Sequence, residues 1–143
     1  MSNTSLVIAV DFDGTIVHDQ FPFIGPEIPG AVPALHLMRK HGHKLILLTC
    51  REGEHLADAC TWLRRRGIVP DAVNENLPGL PWEPRKILYD ALIDDRAIGC
   101  PMRLLPVRNH PDGAVLCVDW CEVERRMRSI APVIVRDADG RAI

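Results

Sequence analysis

The apolar run Leu6-Val7-Ile8-Ala9-Val10 stops abruptly at Asp11-Phe12-Asp13-Gly14-Thr15, and that junction constrains the fold more than any other part of the chain. An unbroken apolar run of this length reads as a strand buried on both faces, the pattern of a parallel sheet. Two carboxylates follow, one residue apart, just before a glycine turn. In an open α/β sheet, ligands bind at the carboxyl ends of the strands. Strand residues i and i+2 share a face and the chain turns at Gly14, so Asp11 and Asp13 converge on one site. Neighbouring acids repel unless a cation or a proton divides their roles. Such a pair suits chemistry on a phosphate with a bound divalent metal.

The rest of the chain alternates in the same style. Ala31, Ala34, Leu35 and Met38 recur at the spacing of an amphipathic helix that Gly42 ends. Lys44 to Leu48 reads as a second buried strand with Thr49 at its tip. Leu56, Ala59, Cys60 and Leu63 mark a second helix, closed by Arg64-Arg65-Arg66 and Gly67, with cations at the negative end of its dipole. Ala72 to Asn74 reads as a short strand, Pro78, Pro81 and Pro84 as an irregular loop, and Ile87 to Ile93 as a segment ending in a strand before Asp94-Asp95. This order predicts one α/β domain over residues 1–143. It is Rossmann-like, three-layered α/β/α, with helices on both faces of a central, mainly parallel sheet. Beyond it, Arg103–Val107 and Ala114–Val118 flank Pro111-Asp112-Gly113 as an extra hairpin within residues 100–118. Asp119 and Glu122 form a capping box for a helix over Trp120 to Ser129. Residues 130–143 read as a short strand or a tail.

Composition narrows the function classes. The 143 residues are enough for one core, and 47% hydrophobic with 25% charged residues is an ordinary soluble balance. A net charge of −2 argues against a dedicated nucleic-acid or anionic-membrane surface. No stretch is long enough to span a bilayer, and no signal peptide pattern opens the chain. Cysteines at 50, 60, 100, 117 and 121 are odd in number and irregular in spacing, without a CxxC pair. Reduced thiols in a cytoplasm fit better than a disulfide framework.

Four features fall where strands should end: Asp11/Asp13, Thr49, Lys86 just upstream of the last strand, and Asp94/Asp95. With DFDGT at 11–15, LLTCRE at 47–52, Lys86 and IDDR at 93–96 in this order, the chain resembles the haloacid dehalogenase superfamily of phosphohydrolases. Within it, the chain looks like the small capless proteins that share TCRE and IDDR. The resemblance implies a fold of that family and a catalytic set of Asp11, Asp13, Thr49 and Lys86. Asp11 would attack phosphorus, and Asp13 would protonate the leaving oxygen and then activate water. Mg²⁺ would be held by Asp11, the Asp13 backbone carbonyl and Asp94. Asp95 would hold a metal-bound water or orient Lys86. Gly14, Thr15 and Thr49 would bind phosphoryl oxygens, and Lys86 would neutralise developing charge, with Arg85 as its competitor.

Several residues keep two readings at this level. Arg51 either grips a substrate phosphate or carboxylate with its planar fork or faces solvent at a helix terminus. Cys50 reads as packing, since the Cys-x5-Arg loop of tyrosine phosphatases is absent. Phe21 and Phe23 either line the cleft or fold onto the core, and His41 and His43 read as solvated. An EF-hand spacing and a P-loop are both absent. No inter-motif segment is long enough for a large cap. The expected substrate is therefore a phosphorylated small molecule, with a homo-oligomer closing the open cleft. The alternative is a nucleic-acid end, because TCRE is similar to the phosphatase part of polynucleotide kinase–phosphatases. A third reading is a non-catalytic phosphate-binding module on the same fold.

Overall fold

Val7–Val10 forms the first strand, β1, and it pairs in parallel on both sides. The computed structural model describes residues 5–131 and 138–141. After β1 come β2 (Val17–Gln20), β3 (Phe23–Glu27), α1 (Ala31–Lys40), β4 (Lys44–Leu47) and α2 (Gly53–Arg65). Then follow β5 (Ala72–Val73), β6 (Ala91–Ile93), β7 (Met102–Pro106), β8 (Ala114–Val118) and α3 (Trp120–Met127). The central sheet has the order β5-β4-β1-β6 and is parallel throughout. The chain steps from β1 outward to β4 and β5, then returns to β6 on the other side of β1. The strand order therefore reverses between β1 and β6, the place where a ligand crevice opens in such sheets. The α/β class and the central parallel sheet flanked by helices are those expected from the sequence.

The period-2 alternation of the strands divides the core in two. Ile8, Val10, Leu45, Leu47 and Ile93 face a cluster that includes Ala34 and Leu35 of α1, Ala59 and Leu63 of α2, and Trp120 and Val123 of α3. Ala9, Ile46 and Ala72 face the other way and are covered by Leu77, Ile87 and Tyr89. Those three come from the connection between β5 and β6, which forms no helix. Pro78, Pro81 and Pro84 interrupt any helical run there, and the Asn76 side chain ties the segment across to the Leu88 amide at 2.7 Å. The layer on this second face is thus the irregular loop read at Pro78, Pro81 and Pro84, with no helix in it among the described residues.

The stretch after Gly14, too short for a large cap, is an antiparallel hairpin of β2 and β3. Its register shifts between Val17 and Asp19. Gly25 sits at the resulting close approach, where an added Cβ would lie 2.1 Å from the His18 carbonyl oxygen. The expected hairpin of β7 and β8 is present in full register from Met102↔Val118 to Pro106↔Ala114. At α3, Asp119 accepts a hydrogen bond from the Glu122 amide, as a capping box requires. The reciprocal half is missing, because the Asp119 amide bonds to Pro101 O and the Glu122 carboxylate pairs with Arg125 and Arg126. The helix is two residues shorter than its expected end at Ser129. The expected terminal strand or tail falls mostly outside the described residues.

Trp120 connects α3 to the first motif. Its ring is 1% exposed, and Nε1 donates to the Thr15 carbonyl at 3.0 Å. Replacing Trp120 by Phe keeps an aromatic ring but leaves that buried carbonyl unpaired. We expect a loss of about 1–3 kcal/mol in urea unfolding, seen as a lower midpoint at unchanged m-value.

Candidate functional site

The carboxyl ends of β1 and β6 lie side by side, so Asp11 and the Asp94-Asp95 pair emerge together. The Asp11 amide donates to Ile93 O at 2.9 Å, which extends the β1–β6 pairing into the site. Asp11, Asp94 and Asp95 each bring a carboxylate oxygen within 4.8 Å of the others. No salt bridge reaches any of the three among the described residues. Burial raises the Asp11 carboxyl to about 7, and repulsion from Asp94 adds to the effect. Burial also raises Asp95, again with Asp94 as the next cause. Oxygen-only donors at close quarters, without His or Cys, are the set a hard divalent cation such as Mg²⁺ takes.

Thr15 and Gly14 make this crowding possible. Thr15 is fully buried, and its hydroxyl lies 3.1 Å from Asp11 Oδ2 and 3.3 Å from Asp95 Oδ1. The same oxygen accepts from the Asp95 amide at 3.0 Å, so one side chain joins two motifs 80 residues apart. Gly14 has φ +82°, and an added Cβ would sit 2.5 Å from Asp95 Oδ2. Only glycine allows both that backbone turn and that contact. Gly14 and Thr15 are therefore placed to shape the acidic site itself, whatever they touch in a substrate.

Asp13 stands outside the acidic cluster. Its two oxygens are held by Arg51 in a fork, Nε to Oδ2 at 2.6 Å and Nη2 to Oδ1 at 2.7 Å. Arg51 is 2% exposed and does not face solvent; it lines the cleft with its guanidinium held on Asp13. The sequence carries a signal for this. Arg51 precedes the N-cap residue Glu52 of α2, the positive end of the helix dipole, where a cation is disfavoured unless an acid holds it. Hydrogen bonding to Asp13 raises the Arg51 guanidinium above its ordinary value.

Thr49 lines the cleft, and its loop is set by a residue that sequence reasoning passed over. Asn74, at φ +53°, accepts from the Thr49 amide at 2.8 Å and donates its own amide to Leu47 O. Lys86 is exposed and does not line the cleft, and neither does Arg85. Arg96 does, together with Asp11, Asp13, Thr49, Asp94 and Phe21, around a cleft of about 430 Å³. Cys50, expected to pack inside, is exposed at the cleft wall, because the chain leaves β4 before reaching it. Phe21 lines the cleft while Phe23 is 77% exposed. His43 is not simply solvated: its Nδ1 accepts from the Leu6 amide, and burial lowers its basicity. A larger hollow of about 590 Å³ lies between β3 and α2. It has Asp58 as its one carboxylate, and Arg66 covers the Trp62 ring at 3.5 Å, so it lacks the clustered acids of the smaller cleft.

Ionising Asp11 in the folded chain costs free energy. The protein therefore loses stability as pH rises from the unfolded carboxyl range near 4 through about 7. Asp11→Asn removes that cost and leaves Thr15 a partner. We expect the variant to be more stable than the parent by about 2 kcal/mol near pH 8 after allowance for solvent screening. The gain should vanish near pH 4, and Mg²⁺ should raise the parent's melting temperature more near pH 8 than near pH 5. Thermal unfolding with and without chelator checks both, and a variant less stable near pH 8 would contradict the picture. Gly14→Ala should lose both stability and metal response.

No protein-family model matches the chain, and no curated protein matches it. Among solved structures it is similar to a conserved protein from Bacteroides thetaiotaomicron, at 37% sequence identity and a TM-score of 0.71. The match covers 88% of this chain and 92% of that one. At that identity and coverage, the chain belongs to the same family as this conserved Bacteroides protein.

Proposed function

We propose that the protein is a magnesium-dependent phosphomonoester hydrolase that works through Asp11. The observation that carries this reading is the cluster of Asp11, Asp94 and Asp95, reached by no salt bridge among the described residues, at the strand reversal between β1 and β6. Three carboxylates crowded this closely suit a site completed by a divalent cation. Asp11, Asp94 and the Asp13 backbone carbonyl would hold Mg²⁺, with Asp95 in support. When bound, the ion would offset negative charge on both the carboxylates and a phosphoryl group.

Asp11 would attack phosphorus, and the ester P–O bond would break as the leaving oxygen takes a proton from Asp13, which first collects it from solvent on an oxygen released from the Arg51 fork. Water next attacks the aspartyl-phosphate, Asp13 takes its proton, and the Asp11 carboxylate is restored as phosphate leaves. The Thr49 hydroxyl and the amides around Gly14 would bind phosphoryl oxygens. Arg96, which lines the cleft, is better placed than Lys86 to meet phosphoryl charge. A cleft of about 430 Å³ suits a phosphorylated small molecule. All five cysteines are free, and no helix among the described residues is long and apolar enough to cross a membrane. We read the compartment as cytoplasmic on the strength of those thiols.

Phosphate release from a panel of sugar phosphates, nucleotides and 3′-phosphorylated oligonucleotides tests this. Turnover should require Mg²⁺, stop with EDTA, and fall by more than roughly 10³-fold in Asp11→Asn. Asp94→Ala should fold and show a Mg²⁺ requirement raised at least roughly 10-fold. Silence across the panel with Mg²⁺ binding intact would favour a phosphate-binding module instead.

A further inference from the structure

Arg51 is built into the site in a way that substrate binding does not explain. A guanidinium has five N–H donors, and all five are engaged. Besides its two bonds to Asp13, Nη2 donates to Phe23 O at 2.9 Å. Nη1 donates to Pro22 O at 3.1 Å and to His55 O at 3.5 Å. Its Cζ lies 5.4 Å from the Phe12 ring centroid and 5.3 Å from that of Phe21. One side chain therefore joins the nucleophile loop, the turn between β2 and β3, and the first turn of α2.

We infer that Arg51 is a positioning residue that latches the β2–β3 flap to Asp13, so that flap and carboxylate hold a single arrangement together. The physical basis is the shared fork. Pro22 O and Phe23 O belong to the flap tip, and Phe21 beside them lines the catalytic cleft. Moving the tip withdraws acceptors from a guanidinium whose side chain is only 1% exposed. Losing Asp13 leaves that same buried cation without its counter-charge, which loosens its hold on the tip. Stabilisation of this kind is reciprocal: whatever the flap does for Asp13, Asp13 does for the flap. A lysine has the charge but cannot span two carboxylate oxygens and two carbonyls at once. The inference rests on the phosphatase reading only for its kinetic consequence.

Native-state hydrogen exchange over residues 17–27 tests it without needing turnover. Asp13→Asn changes no atom of the flap, yet it should speed flap amide exchange roughly 10-fold and leave the β7–β8 amides unchanged. Arg51→Gln should do the same, and Arg51→Lys should lie between it and the parent. If Asp13→Asn does not fold, Arg51→Lys carries the test, because it keeps the cation. In phosphate release, Arg51→Gln should lower kcat roughly 100-fold and change KM less than about 3-fold. Flap exchange equal to the parent's in the folded variants would overturn the latch. A raised KM at retained kcat would return Arg51 to substrate binding. If the parent releases no phosphate at all, the phosphatase reading fails and exchange alone still decides the latch.

Discussion

Crowding three carboxylates at the ends of two neighbouring strands costs free energy, and much of the local structure answers to that crowding. The β1–β6 pairing brings Asp11 beside Asp94 and Asp95. The Thr15 hydroxyl and the bare Cα of Gly14 allow the carboxylates to pack without clash. Trp120 then fixes the backbone of Thr15 from the far side, through a buried hydrogen bond from α3. A charge arrangement that destabilises the empty protein is thus held in place by a packed core. That is the pattern of a site whose cost a ligand offsets.

Asp13 is treated differently from its neighbour two residues earlier. It is paired in full with a buried arginine, and through that arginine with the flap. The two acids of the motif therefore meet different surroundings, one strained by like charge and one held by opposite charge. The difference follows from position: Asp11 faces the carboxylates just beyond β6, whereas Asp13 faces α2 and the hairpin.

What the sequence made legible was local. The apolar run ending at Asp11, the 3.6-residue spacing of α1 and the Pro-Asp-Gly turn of the β7–β8 hairpin each carry their own signal within a few residues. The non-local features did not. The Asp13–Arg51 pair spans 38 residues, and its only sequence trace is a cation at the wrong end of a helix dipole. The β2–β3 hairpin is masked by Pro22, Gly25 and Pro26, which read as loop although they serve a bulged two-stranded flap. The covering of the second sheet face by Leu77, Ile87 and Tyr89 has no period to find. Lys86 was placed by resemblance, and the irregular connection around it leaves it exposed and away from the cleft lining. The acidic cluster, by contrast, was readable because parallel strands put their carboxyl ends on one side.

The most direct test of the central claim is to stop the reaction with acid during turnover of a phosphomonoester and locate the phosphoryl group by mass spectrometry of the peptides. The account predicts one phosphoryl group on Asp11, dependent on Mg²⁺ and lost after mild alkali as an acyl phosphate would be. Adduct on another residue, or phosphate release with no adduct at Asp11 under conditions that trap the intermediate, would contradict it.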